Sequence, residues 1–174
     1  YININIMKSK FNEILNLIKQ KKTAEAKKIC LEILKIDQSN AEVYNIYAFT
    51  LFHLKDYESS IKNWKKVINI KPNHFHAINN LGNAFLKLRK YYEALSSYEQ
   101  AIKINSNYFE AYNNRGNAFL GLNKFSDAIE SYNKAIKIKS DYFEAHNSKA
   151  FILQRLQRFD EAIECWENVI KINS

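Results

Sequence analysis

The sequence predicts an all-α fold made of tandem helical hairpins, and three observations support this prediction. A pattern of large, small and polar residues returns every 34 positions along most of the chain. Within each period, apolar residues recur at steps of three or four, which is typical of one face of a helix. Only 3 Gly and 1 Pro occur among 174 residues, so helices joined by short polar links fit the composition best.

The repeat is clearest when residues 75–108 are laid over residues 109–142. At an offset of 34, Gly82 falls on Gly116, and most aromatic and alanine positions match as well. The register extends to five units, which are 7–40, 41–74, 75–108, 109–142 and 143–174. The last unit is two residues short, and residues 1–6 are interpreted as an N-terminal extension or a cloning remnant. We number the positions within a unit as places 1 to 34.

Each unit is predicted to be two short helices joined by a tight turn. In the fourth unit, the helical pattern breaks at Asn123-Lys124, and a second apolar stripe begins at Phe125. Gly82 and Gly116 lie on first helices, although a glycine inside a helix costs about 1 kcal/mol relative to alanine. We therefore expect a close approach at this place that offsets the cost.

The ends of the second helices differ in sequence. Pro72 lies near the end of the second unit, whereas Ser106 and Ser140 occupy the same place in the third and fourth units. Because proline cannot continue a helix, we expect the second helices that lack it to run on slightly before turning.

The cysteines and histidines offer little chemistry. Cys30 and Cys165 are 135 positions apart without metal-ligand spacing, which favours a reducing compartment over a disulfide framework. Cys30 is expected to fill the core, and Cys165 to lie near the surface. The pair His74 and His76 lacks a third ligand, so a solvated link is preferred over a metal site.

No catalytic motif stands out in the sequence. GxSxG, phosphate-loop and HExxH patterns are absent, and no histidine is held near either cysteine by a motif. Trp64 and Trp166 are interpreted as packing residues. We therefore expect no enzymatic activity, no cofactor and no metal.

The units resemble the tetratricopeptide repeat at its distinguishing places, which hold a large residue, Leu-Gly, an aromatic, an Ala, an aromatic, an Ala and a Pro. The third unit matches with Leu81-Gly82, Phe85, Ala94, Tyr98 and Ala101. The second unit departs at Ala48 and Ser60, and the first is degenerate, with Lys10, Glu13 and Ile14 in place of the apolar-Leu-Gly run. The resemblance implies a right-handed α-α superhelix, or solenoid, of antiparallel helix hairpins that binds another protein.

In this family, the first helices of successive hairpins line a concave groove that receives an extended peptide or a partner's helix. The resemblance places these residues in the groove: Asn45, Phe49, Phe52, Asn79, Asn80, Asn83, Leu86, Asn113, Asn114, Asn117, Leu120, Asn147 and Phe151. A carboxamide can pair with a peptide backbone whatever its side chains. The row is similar to the asparagine ladder in the repeats of O-linked N-acetylglucosamine transferases.

Two alternatives to this interpretation stay open. The asparagines could reflect a general bias toward Lys, Asn and Ile, which an AT-rich coding sequence would produce. The phenylalanines and leucines that flank them are either ligand contacts or packing residues between neighbouring first helices.

The formal charge of +8 invites a nucleic-acid hypothesis, which the placement of the charges weakens. Lysines recur late in the second helices, which the family places away from the groove, at Lys35, Lys103, Lys137 and Lys171. The groove instead carries Glu42, Glu110 and Glu144. We therefore do not expect nucleic acid as the partner, and the glutamates would also repel the acidic chaperone tails that some members of the family bind.

The expected function is a protein–protein interaction scaffold with a protein or peptide partner, in the cytoplasm and without a membrane span. The first alternative is the recruitment arm of a larger enzyme, of glycosyltransferase, sulfotransferase or methyltransferase type. The second is a basic scaffold that self-assembles or binds RNA weakly. No capping helix follows the apolar residues Ile163, Trp166 and Ile170 of the last hairpin. We therefore expect either a fragment of a longer protein or self-association through the C-terminal hairpin.

Overall fold

The structure, a computed structural model, describes residues 4–173 of the chain. This range forms ten helices: α1 (Ile4–Lys19), α2 (Thr23–Ile36), α3 (Ala41–His53), α4 (Tyr57–Ile70), α5 (Phe75–Lys87), α6 (Tyr91–Ile104), α7 (Phe109–Gly121), α8 (Phe125–Ile138), α9 (Phe143–Arg155) and α10 (Phe159–Asn173). No strand occurs within it, and the predicted all-α fold of helical hairpins is confirmed. The first helix begins inside the segment 1–6 that the sequence sets apart from the repeats.

The chain divides into two compact units, residues 1–84 and residues 85–174. In the first unit, Trp64 on α4 is fully buried, which confirms its packing role. The ring of Phe52 lies against it with centroids 5.8 Å apart, and the ring of Tyr57 lies 5.3 Å from that of Phe52. Leu51 on α3 and Val67 on α4 are buried as well. The core of the first unit thus lies between the two helices of a hairpin and the helices next to it.

The second unit is built on buried tyrosines and alanines. Tyr98 on α6 and Tyr132 on α8 occupy place 24, where the first unit has Trp64. Tyr132 packs in one cluster with Ala128, Ala135 and Ala145, while Tyr98 belongs to a separate cluster. Small residues on one helix therefore make room for a large ring on the next, and this produces the close packing of interiors.

A left-handed turn closes each of the five hairpins. The residue at place 15 has φ between 57° and 62° in every case, and these residues are Lys21, Lys55, Arg89, Asn123 and Gln157. In the fourth hairpin, the Lys124 N–H donates to the Phe119 carbonyl at 2.9 Å and the Asn123 N–H donates to the Leu120 carbonyl at 3.0 Å. This pair of bonds is a Schellman motif, which ends the first helix and satisfies its last carbonyls.

The second helices α4, α6 and α8 end at the same place of their units whether or not proline follows. Their last residues are Ile70, Ile104 and Ile138. The expectation that α6 and α8 run on is therefore wrong. The next residue turns the chain with φ of −130° to −131°, at Lys71, Asn105 and Lys139. The extended backbone at this residue ends α6 and α8. A proline, which lacks a backbone N–H, is therefore not required to stop these helices.

Both cysteines lie in the core. Cys30 is buried, as predicted, whereas the prediction that Cys165 lies near the surface is wrong. Cys165 follows Ala162 by three residues on the inner face of α10 and packs with Ala150 and Leu153. Burial raises the pKa of Cys30 to about 12 and also raises the pKa of Cys165. Both thiols therefore stay protonated at neutral pH, which disfavours a nucleophilic role.

Gly116 provides the close approach that the sequence predicts. A Cβ atom on Gly116 would lie 2.5 Å from Cε1 of Tyr132, whose ring is fully buried and cannot turn aside. Helix α7 therefore approaches α8 this closely only because place 8 carries a hydrogen in this unit.

We expect Gly116→Ala to lower the free energy of unfolding by about 1–3 kcal/mol, because overpacking outweighs the gain in helix propensity of about 1 kcal/mol. Gly121→Ala is the matched control on the same helix. A methyl group there would meet the ring of Tyr91, but Gly121 is exposed and Tyr91 is only half-buried, so the ring can move. Urea unfolding followed by circular dichroism measures both variants, and equal losses would contradict the packing argument.

Candidate functional site

The predicted site residues lie on the first helices α3, α5, α7 and α9 and differ in exposure. Asn79 and Asn113 are buried, with 3% and 6% of their surface exposed. Phe49, Asn147 and Phe151 are exposed. The remaining residues are half-buried: Asn45, Phe52, Asn80, Asn83, Leu86, Asn114, Asn117 and Leu120. Of the asparagines, Asn79 and Asn113 are thus the two that a ligand reaches least easily.

Two of the asparagines are held by the aromatic residue at place 24 of their own hairpin. Trp64 Nε1 donates to Oδ1 of Asn45 at 3.1 Å, and the Tyr132 hydroxyl donates to Oδ1 of Asn117 at 2.7 Å. The indole N–H can only donate, so the Asn45 oxygen must face it. These bonds connect the core of each hairpin to a polar side chain on its first helix and fix the orientation of the carboxamide.

The Tyr132 hydroxyl also connects two successive first helices. Besides its bond to Asn117 on α7, it hydrogen-bonds the side chain of Ser148 on α9. Burial raises the pKa of Tyr132, and the bond with Ser148 offsets part of that rise. The phenol is therefore neutral at physiological pH, and its one proton is donated to Oδ1 of Asn117.

Most of the flanking apolar residues pack inside the structure. Phe52 lies on Trp64, while Leu86 and Leu120 pack against the buried clusters of the second unit. Phe49 is exposed, although its ring meets His53 with centroids 4.4 Å apart. Phe151 on α9 has 51% of its surface exposed. Phe151 is thus the most open aromatic side chain of the predicted site.

Charged and polar residues around the site have several roles. Glu42 pairs with Lys71 at 2.7 Å, and His74 accepts a hydrogen bond from the Ala77 N–H at 3.2 Å. His74 therefore caps the start of α5.

Within the described residues, no group of three or more His, Cys, Asp or Glu side chains is placed to hold a metal ion.

Two buried polar atoms in the second unit have no hydrogen-bond partner within residues 4–173. These atoms are Oδ1 of Asn113 and Nδ1 of His146. The second ring nitrogen of His146 lies 3.0 Å from the Ser140 carbonyl. An unpaired buried polar group costs about 1–3 kcal/mol. Core packing alone therefore gives no stabilising reason for Asn113.

Sequence reasoning missed one concave surface of the structure. It lies in the first unit between α2, α3 and α4, has a volume of about 580 Å³, and is lined by Lys28, Leu31, Lys35, Tyr44 and Lys66 among others. The signal that could have revealed it is the exposed Leu31 between Lys28 and Lys35 on one face of α2. The lysines that recur late in the second helices are all exposed, as predicted.

The fold and these surfaces define a protein of tandem helical hairpins. Family models described as tetratricopeptide repeat match residues 41–74, 109–142 and 143–174, and a model described as TPR repeat matches residues 82–123. The chain belongs to the tetratricopeptide repeat family.

Several solved structures have a similar fold. MamA from Desulfovibrio magneticus RS-1 is 23% identical with a TM-score of 0.83, covering 95% of this chain and 94% of that one. Pseudomonas aeruginosa PilF is 18% identical with a TM-score of 0.85, covering 94% of this chain and 75% of that one. A thermophilic TPR protein of Thermus thermophilus is 19% identical with a TM-score of 0.80, covering 94% and 90% of the two chains. No curated protein sequence matches the chain.

Membership in this family makes the chain a protein-interaction scaffold, and proteins built of these repeats are in general non-catalytic. Its likeness to the solved structures concerns the fold alone. None of the described helices is both long and apolar enough to cross a membrane.

We expect Asn117 and Tyr132 to be energetically coupled. In a double-mutant cycle, Asn117→Ala and Tyr132→Phe should show an interaction energy of about 1 kcal/mol, because each removes one partner of a partly buried hydrogen bond. Asn133→Ala is the control, since Asn133 is an exposed asparagine next to Tyr132 on α8. Urea unfolding measures the four corners of each cycle. Additivity of Asn117→Ala with Tyr132→Phe would show that the bond contributes nothing.

Proposed function

We propose that the chain binds an extended peptide segment of a partner protein along the first helices of its hairpins. The observation that carries this proposal is the anchoring of Asn45 and Asn117 by Trp64 and Tyr132. With the carboxamide oxygen turned toward the second helix, the NH2 group points away from it. A fixed N–H donor on a half-buried surface suits the carbonyl oxygens of a peptide backbone.

Within the second unit, the proposed contacts are Asn114 and Asn117 on α7 together with Asn147 and Phe151 on α9. The asparagines would bind the peptide backbone, and the exposed ring of Phe151 would receive an apolar side chain, since aromatic anchors often dominate binding energy. Asn113 is too deeply buried to contact a ligand directly.

The charges of the first helices favour a neutral or basic peptide. Glu110 on α7 and Glu144 on α9 lie at the same place of successive units, and Glu144 is exposed. Coulomb repulsion from these carboxylates acts against an acidic segment. The predicted absence of enzymatic activity and the predicted cytoplasmic location stay predictions.

We expect Asn114→Ala/Asn147→Ala to weaken peptide binding by about 10-fold or more, because two donors to the ligand backbone are lost. Peptides enriched from a random library on the wild-type chain, labelled with a fluorophore, give the affinity by anisotropy. Phe151→Ala should weaken binding to a similar extent.

Asn133→Ala is the matched control, since it removes an exposed asparagine from a second helix, and it should bind like the wild type. Circular dichroism must show unchanged helicity in every variant. Failure to enrich any peptide, or equal affinities for the site variant and the control, would contradict binding along the first helices.

Self-association is a second candidate function, favoured by the exposed face of α10. Ile163 and Ile170 have 51% and 67% of their surface exposed, and Phe159 at the start of the helix is exposed as well. Apolar side chains clustered on one helix face are typical of a surface that is covered by a partner. We propose that this face contacts a second copy of the chain.

A further inference from the structure

The concave surface of the first unit joins apolar walls to a basic rim. Its volume of about 580 Å³ is in the range of surfaces that receive a ligand or the side chains of a partner. Leu31 and Leu34 of α2 and Tyr44 and Tyr47 of α3 form the walls. Leu31 has 40% of its surface exposed, so this wall is open to a partner.

Three lysines surround this surface, which we call the basic pocket. Lys28 and Lys35 lie on α2 and Lys66 on α4, and none of them forms an ion pair with a described residue. Lys66 lies 4.6 Å from the centre of the Tyr44 ring, which holds its ammonium group at the edge of the pocket. The one carboxylate in the lining, Glu32, is 3.9 Å from Lys10. The pocket therefore carries a positive excess.

The basic residues follow a definite spacing along α2. Lys28, Leu31 and Lys35 are separated by three and then four residues, so they lie on one face over two helical turns, about 10 Å. All three side chains are exposed. This face presents an apolar side chain between two positive charges.

Helix α10 presents the opposite pattern with the same spacing. Asp160, Ile163 and Glu167 are also separated by three and then four residues, and all three are exposed. Glu164, next to Ile163, adds a further exposed carboxylate. Glu161 already forms an ion pair with Arg158, whose guanidinium donates two hydrogen bonds of 2.6 and 2.7 Å to its carboxylate. The helix thus presents an apolar side chain between two negative charges.

We infer that α10 of one copy docks against α2 in the basic pocket of a second copy. The occupant is a copy of the same chain, because α10 matches the pocket in charge, in apolar character and in spacing. This inference rests on the proposed self-association and names the surface that receives it. Since two different surfaces meet, the contact is heterologous, and it adds copies head to tail instead of closing a symmetric dimer.

The test uses charge reversal on each side of the contact. Lys28→Glu/Lys35→Glu changes the pocket, and Asp160→Lys/Glu167→Lys changes α10. Sedimentation velocity over a range of concentrations should show self-association of the wild type, and each variant alone should associate about 10-fold more weakly or not at all, because like charges then face each other. An equimolar mixture of the two variants should associate again, since opposite charges meet at both contacts.

Recovery in the mixture distinguishes docking from damage to the fold, because two misfolded chains would not restore each other. Lys134→Glu/Lys137→Glu on α8 is the matched control, with the same change in charge at exposed positions, and it should associate like the wild type. If the pocket variant still associates while the α10 variant does not, self-association stands and the pocket is not the receiving surface. A wild type that stays monomeric at all concentrations, or a mixture that fails to recover, overturns the inference.

Discussion

The fit between a small residue on one helix and a large ring on the next sets the geometry of these hairpins. In the fourth hairpin, the ring of Tyr132 occupies the space that a side chain on Gly116 would take. The same ring ends in a hydroxyl that reaches Asn117 and Ser148, so packing and hydrogen bonding are two properties of one side chain. Trp64 has the same relation to Asn45 in the second hairpin. Because the ring is locked by packing, the polar side chain on the first helix is positioned before any ligand arrives.

Two surfaces of different chemistry follow from the two-helix unit. The first helices carry carboxamides, which in the proposed function would bind a peptide backbone through hydrogen bonds that depend little on salt. The second helices α2 and α10 carry charged and apolar residues, which in the proposed self-association would bind a second copy through complementary charge. The chain as a whole has a formal charge of +8, yet α10 has four acidic residues against one lysine. In the proposed self-association, this local acidic face on a basic protein would give two copies of the chain an orientation in which attraction opposes their general repulsion.

The fold could be predicted almost completely from the sequence. The helical pattern returns in each 34-residue unit, and a unit of such an array packs against the units next to it in the chain. Helix ends were less predictable: Pro72 suggested a stop signal, whereas an extended residue at the same place ends α6 and α8 without it. The burial of Asn79, Asn113 and Cys165 depends on how deeply neighbouring helices interlock, and a repeat pattern does not encode that depth. The basic pocket escaped prediction because it joins residues of three helices.

The left-handed turns have a further consequence for how the array tolerates change. Of the five residues at place 15, four are Lys, Arg or Gln, side chains that this backbone region disfavours, and one is Asn, which it accepts better. Each hairpin therefore has a small conformational strain in the turn between its two helices, outside the core. The stability of such an array is approximately a sum of terms for each repeat and for each pair of neighbours, so the strain of one hairpin can be relieved by a change in that hairpin alone. A substitution at place 15 of one hairpin would therefore change how readily that hairpin opens. The surfaces described above would keep their residues.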